Sequence, residues 1–241
     1  MKRFSAILCM FFSACLALAQ GNVDKFHDAA AQKAAMDDYA GALKEIQKAV
    51  GLSPNSARLL FMRGMIHYMD GNRSLADADF EKVVSMPAKD ADSLRVKALA
   101  YNRLRNYEAR DAAFAELLNT EPKTARDFVA HAVALASMKR PGEAAGMCDS
   151  AIEKDPKFVQ AYVMRGSLKN LQLKDDAGAL EDFKKAVALE PSNPELLYLL
   201  GRLELESGSR EDSIETLKKC LALAPESKRI QRLLRKAETG K

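Results

Sequence analysis

The chain has 241 residues, 48% of them hydrophobic and 29% charged, which excludes disordered and fibrous proteins. Twelve Gly, eight Pro and no Trp are few for a fold of many strands and tight turns. The net charge of +4 is too small to mark a nucleic-acid binder, and four Cys give neither a disulfide framework nor metal-ligand spacing.

The first nineteen residues predict an export signal. Lys2 and Arg3 precede an apolar run from Phe4 to Leu18, and Ala17-Leu18-Ala19 is a small-x-small cleavage site ahead of Gln20. The run is shorter than the roughly 20 residues of a membrane helix. Lipidation at Cys15 is the alternative. Phe12-Ser13-Ala14 supplies the small residue before it but an aromatic where an aliphatic is usual. Cutting there would also leave Leu16 to Ala19 as an apolar stub. Membrane contact is expected only if Cys15 is lipidated.

Beyond the leader the chain repeats. Pro54, Pro122, Pro156, Pro191 and Pro225 are separated by 68, 34, 35 and 34 residues, and Pro87 stands one residue early in the gap. Ala30, Gly64, Ala98, Ala132, Gly166 and Gly201 keep the same period. So do Ala42 with Ile46, Ala76 with Phe80, Ala144 with Cys148, and Ala179 with Phe183. One extra residue falls between Gly166 and Ala179, where a loop is expected. Each period reads as two helices. In the last, Asn193 caps a helix beginning at Pro194, and Leu196, Leu197, Leu200, Leu203 and Leu205 supply an apolar face. Ser207-Gly208-Ser209 breaks it, and Ser209 with Asp212 is similar to a capping box. Ile214, Leu217 and Leu221 then return at helical spacing.

This pattern resembles the tetratricopeptide repeat, a 34-residue helical hairpin. Six repeats cover 23–56, 57–90, 91–124, 125–158, 159–193 and 194–227. The fifth matches best, through Gly166, Ala179, Phe183, Ala186 and Pro191. Arg110 and Ser213 replace the usual Ala, and Ile46, Cys148 and Leu217 replace the aromatic. The fold class implied is all-α, a right-handed α-solenoid of six repeats. Residues 228–238 are expected to cap it, with Ile230, Leu233 and Leu234 inward and Arg229, Arg232, Arg235 and Lys236 in solvent, ahead of a short tail 239–241.

A hairpin lies between Cys148 and Cys220, so both are expected to be free buried thiols. His27, His67 and His131 form no metal motif, and no phosphate loop is present. Asp37-Asp38, Asp175-Asp176 and Glu211-Asp212 sit where acids stabilise helix N-termini. No catalytic residue, metal or cofactor is expected, and no nucleic-acid partner. Residues from Glu226 onward carry net +4 and Lys2 with Arg3 carry +2, which leaves −2 on the repeat body.

The resemblance implies a binding groove along the first helix of each repeat. It places there Phe61, Met65 and Tyr68; Arg95, Leu99 and Asn102; Val129 and Val133; Val163, Ser167 and Asn170; and Tyr198 and Arg202. Asn102 and Asn170 suit a peptide backbone, and Phe61, Met65 and Tyr68 an apolar anchor. No Lys–Asn pair occupies the positions used by repeats that grip a terminal carboxylate. The function implied is an extracytoplasmic scaffold that binds a protein or peptide; an assembly or secretion factor anchored through Cys15 in the outer envelope is the alternative.

Overall fold

The structure, a computed structural model, describes residues 21–240, so the leader and Cys15 lie outside the described residues. All regular structure among those residues is helical. The helices are α1 (21–35), α2 (Tyr39–Leu52), α3 (Ala57–Met69), α4 (Arg73–Ser85), α5 (Ala91–Arg103), α6 (Tyr107–Leu118) and α7 (Ala125–Ser137). They continue as α8 (Pro141–Lys154), α9 (Val159–Leu168), α10 (Asp176–Leu189), α11 (Pro194–Glu206), α12 (Arg210–Leu223) and α13 (Lys228–Thr239). They pair into six hairpins, and α13 runs one residue past the expected end of the cap. Two compact units are formed: residues up to Ala34 with Asp38–Val83, and Val84 onward with the turn Ala35–Asp37.

One backbone device ends every first helix. Residues Asp37, Gly71, Arg105, Lys139, Lys174 and Gly208, one per repeat, have φ between 59° and 86°. The next amide then bonds back to the helix, as in Asn72 N–H to the His67 carbonyl (2.8 Å) and Arg140 N–H to Leu135 (2.9 Å). This left-handed stop satisfies carbonyls the helix would leave open. Glycine adopts it freely, whereas Lys139 does so against a steric cost of about 1–2 kcal/mol. Lys139→Gly is therefore expected to stabilise the protein by about 0.5 kcal/mol, after the greater freedom of unfolded Gly is deducted. A urea melt checks this.

The extra residue of the fifth repeat does not lengthen a loop. It widens the last turn of the first helix into a π-helix over Lys169–Leu173. The closing bond becomes Asp175 N–H to the Lys169 carbonyl (2.8 Å), one residue longer than its counterparts. Lys174 keeps the left-handed stop, so the insertion is absorbed before the second helix begins.

The predicted caps divide. Asn193 accepts amide hydrogens from Glu195 and Leu196, with Pro194 in the first turn. Asp38 caps α2 and Asp175 caps α10, while Glu211 and Asp212 occupy the first turn of α12. Ser209, however, makes no side-chain capping bond, so the expected box at Ser209 and Asp212 is absent.

Close helix approach rests on the small residue of each first helix. In the first compact unit a Cβ on Gly64 would lie 2.7 Å from the Phe80 ring, so α3 and α4 meet at a distance only Gly permits. In the second, each helix packs on its hairpin partner, and α5, α7 and α9 pack in series. Its core alternates small and large: Ala98 against Phe114, then Ala132 with Cys148 and Leu168, then Ala179 with Phe183. The departures from the repeat pattern are accommodated. Ser213 donates to the Gly201 carbonyl at 2.7 Å, and Arg110 leaves the core to pair with Asp111.

Cys148 and Cys220 are both free and buried. Burial pushes each thiol up to about 12, so neither supplies thiolate at neutral pH. Thiol reagents are expected to label both only after unfolding; fast labelling of the native protein contradicts this.

Two buried charge clusters hold neighbouring repeats. In the first compact unit Arg63 pairs with Asp79 on its own hairpin and donates to Gln47 on α2 at 2.8 Å. In the second, Arg165 pairs with Asp182 and reaches Asp149 on α8, both at 2.6 Å. The two arginines occupy equivalent repeat positions.

Candidate functional site

The first helices carry the candidate residues. In the first compact unit all three lie on α3. Phe61 is half-buried, its ring 5.5 Å from that of Phe80, which ties it to the hairpin core. Met65 is half-buried, while Tyr68 is 41% exposed with the Arg73 guanidinium over its ring.

In the second compact unit the remaining residues run along α5, α7, α9 with its π-turn, and α11. Leu99 and Val133, from neighbouring repeats, meet on one core cluster around Phe114. Val129 lies against Ala125, Ala151 and Ala161. Val163 joins two clusters between α9, α10 and α11. These four are half-buried, so they form an apolar floor whose outer atoms face solvent.

The polar candidates are partly engaged. Arg95 is held by Asp92 on its own helix at 2.5 Å. Asn102 accepts from Arg110 at 3.0 Å, which leaves its amide hydrogens for a partner. Asn170 donates to Asp176 at 2.9 Å, which leaves its carbonyl oxygen. Ser167 donates to the Val163 carbonyl at 2.7 Å and serves its own helix. Arg202 lies 3.7 Å from Glu206. Tyr198 is half-buried and meets the cap helix: Arg229 of α13 lies 4.6 Å over its ring and also pairs with Glu195. The last repeat thus shares its first-helix face with the cap, an arrangement the repeat positions alone do not reveal.

Neither His131 nor Glu204 entered the sequence-based site. His131 is 4% exposed and lies 3.1 Å from the Thr120 hydroxyl, and burial lowers its pKa. Glu204 is 4% exposed on α11, and its Oε2 has no hydrogen-bond partner. Burial raises its pKa above the ordinary value of 4.5, with a bond to Thr216 and the Lys184 charge opposing. A raised carboxylate means that folding binds a proton, so the ionised group destabilises the fold above its folded pKa. That cost fades as pH falls toward 4.5. Glu204→Gln is expected to be the more stable protein at neutral pH, with an advantage that shrinks on acidification. Parallel melts across pH check this.

Among the described residues no group of three or more His, Cys, Asp or Glu is placed to hold a metal ion. No described helix is long and apolar enough to cross a membrane.

Residues 170–237 match the family model of the tetratricopeptide repeat. That segment is similar in sequence to the tetratricopeptide repeat, and the described chain shares the fold of solved repeat proteins. Among solved structures, a tetratricopeptide repeat protein from Parabacteroides merdae aligns with a TM-score of 0.59 at 18% identity, over 90% of this chain and 84% of that one. Among curated relatives, human mitochondrial import receptor subunit TOM70 is 25% identical over 189 residues, 75% of this chain and 31% of the relative. The DnaJ homolog subfamily C member 7 homolog of Dictyostelium discoideum is 29% identical over 153 residues, 57% and 28% of the two chains. This chain thus spans under a third of the length of these relatives.

Proposed function

We propose that the protein is an exported interaction scaffold that binds an extended segment of another protein along the first helices of its second compact unit. The observation that carries the reading is the apolar floor of Leu99, Val129, Val133 and Val163. Asn102 on α5, exposed Arg126 on α7 and exposed Gln160 on α9 each stand three residues from a floor residue, on the same helix face, and Asn170 lies in the π-turn beyond Val163. Side chains of half-buried floor residues receive apolar groups, and flanking amides bond a peptide backbone. The fold supports a binding role. One relative is named a receptor subunit, in keeping with recognition of a polypeptide.

Export rests on the leader: Lys2, Arg3, the run Phe4 to Leu18 and the Ala17-Leu18-Ala19 site. Amino-terminal sequencing of the protein from its own cells is expected to begin at Gln20. A chain beginning at a lipid-modified Cys15 would establish the anchored form instead, and Cys15→Ser would then release it from the membrane fraction.

Affinity capture of partners with wild type and with an Asn102→Ala, Arg126→Ala, Asn170→Ala variant tests the binding face. These substitutions leave the apolar core untouched, so loss of partners from the variant supports the reading. Identical partner sets would overturn it.

A further inference from the structure

The outer face of α13 carries charge that neither the fold nor the proposed groove uses. Lys228, Arg232, Arg235 and Lys236 are all exposed, and none forms an ion pair among the described residues. Advancing about 100° per residue, the four side chains fall within about a 100° arc opposite the buried face. That buried face, Ile230, Leu234 and Ala237, is committed to α11 and α12. The nearby acids do little to neutralise the arc: Glu238 lies 3.9 Å from Lys218, and Glu226 stands just ahead of the helix. Gln231 is occupied at the Pro225 carbonyl. The repeat body carries about −2 overall, so the basic charge is concentrated at this end.

We propose that this face docks the protein on an anionic lipid surface, with no lipid anchor required. The chemistry of the face selects the partner. No aromatic side chain stands on it to stack a nucleic-acid base, and no apolar side chain to anchor a peptide. What remains is a row of long, unpaired cations, which matches a plane of repeated phosphates. The apolar side of the helix is already buried, so nothing inserts. Binding is peripheral, additive in charge and salt-labile.

Sedimentation of the full chain with phosphatidylcholine vesicles, with and without phosphatidylglycerol, tests this. The neutral vesicles measure the apolar contribution of the leader, and the Gln variants, which keep Lys2 and Arg3, measure its charged one. Binding is expected to require phosphatidylglycerol and to fall with salt. Arg232→Gln with Arg235→Gln is expected to weaken it about 25-fold, about five-fold per charge, while Arg232→Lys with Arg235→Lys retains it. Lys228→Gln with Lys236→Gln repeats the test at two other exposed sites, should the arginine pair disturb folding. Equal binding to both vesicles, or equal binding by wild type and both Gln variants, overturns the proposal. Retention on polyglutamate or duplex DNA without vesicle binding overturns it as well.

Discussion

Replacing Phe114 with Ala is expected to lower stability by about 4 kcal/mol. The ring is fully buried on α6, at the aromatic position of the third repeat. It is surrounded by Ala91, Ala98, Ala113, Ala130 and Ala134 together with Leu94 and Leu117. Alanine neighbours have no long side chain to swing into a void, so the cavity stays largely open and the cost sits high in the usual range. The cluster joins α5, α6 and α7, so the damage crosses from the third repeat to the fourth. In a repeat stack, stability passes between nearest neighbours. The variant is therefore expected to show earlier hydrogen exchange at α5–α7 and a shallower urea transition. Leu99 and Val133 pack on this cluster, so partner binding is also expected to weaken although no face residue has changed. A loss under about 1 kcal/mol would mean that the ring is not the centre of that core.

The second large effect is expected at Asp182. Its carboxylate is 3% exposed and accepts from Arg165 at 2.6 and 3.0 Å, with Lys169 at 3.0 Å. Arg165 also holds Asp149, so one guanidinium fastens α8, α9 and α10. Asp182→Ala leaves two partly buried cations facing each other, with one acid remaining for both. Breaking a buried pair from one side costs about 3–5 kcal/mol. The lower end, about 3 kcal/mol, applies because Arg165 is 21% exposed and regains some water. Replacing both partners by apolar residues, Arg165→Met with Asp182→Leu, is expected to recover most of the loss, since no unpaired charge remains. Denaturant melts of the single and double variants give the comparison. Equal destabilisation in both would show that the cluster acts through packing rather than charge.

Much of the fold is legible in the chain because its signals recur. Proline after the second helix, a small residue in the first and a bulky residue opposite it reappear at one spacing. A chance match at one repeat is therefore tested by the next. The cap helix is legible because Ile230 and Leu234 share a face with Ala237. The π-turn is less legible. Lys169 to Leu173 contains no residue that demands a widened turn, and the count shows only that one residue is added. The Arg–Asp pairs escape a linear reading because the partners lie 16 and 17 residues apart. Aligning the repeats brings both arginines to one column and both aspartates to another. At the candidate face, repeat positions place side chains on the first helices but say nothing of their neighbours. That Arg229 covers Tyr198, and that Ser167 serves its own helix, follow only from coordinates.

Photo-crosslinking in living cells tests the central claim most directly. A light-activated residue is placed in turn at Leu99, Val133 and Asn170 on the first helices, and at Glu116 and Lys185 on the exposed sides of second helices. Binding of a partner segment along the first helices gives one discrete adduct from the first set and none from the second. Adducts of equal yield from both sets, or from the second-helix positions alone, would contradict it.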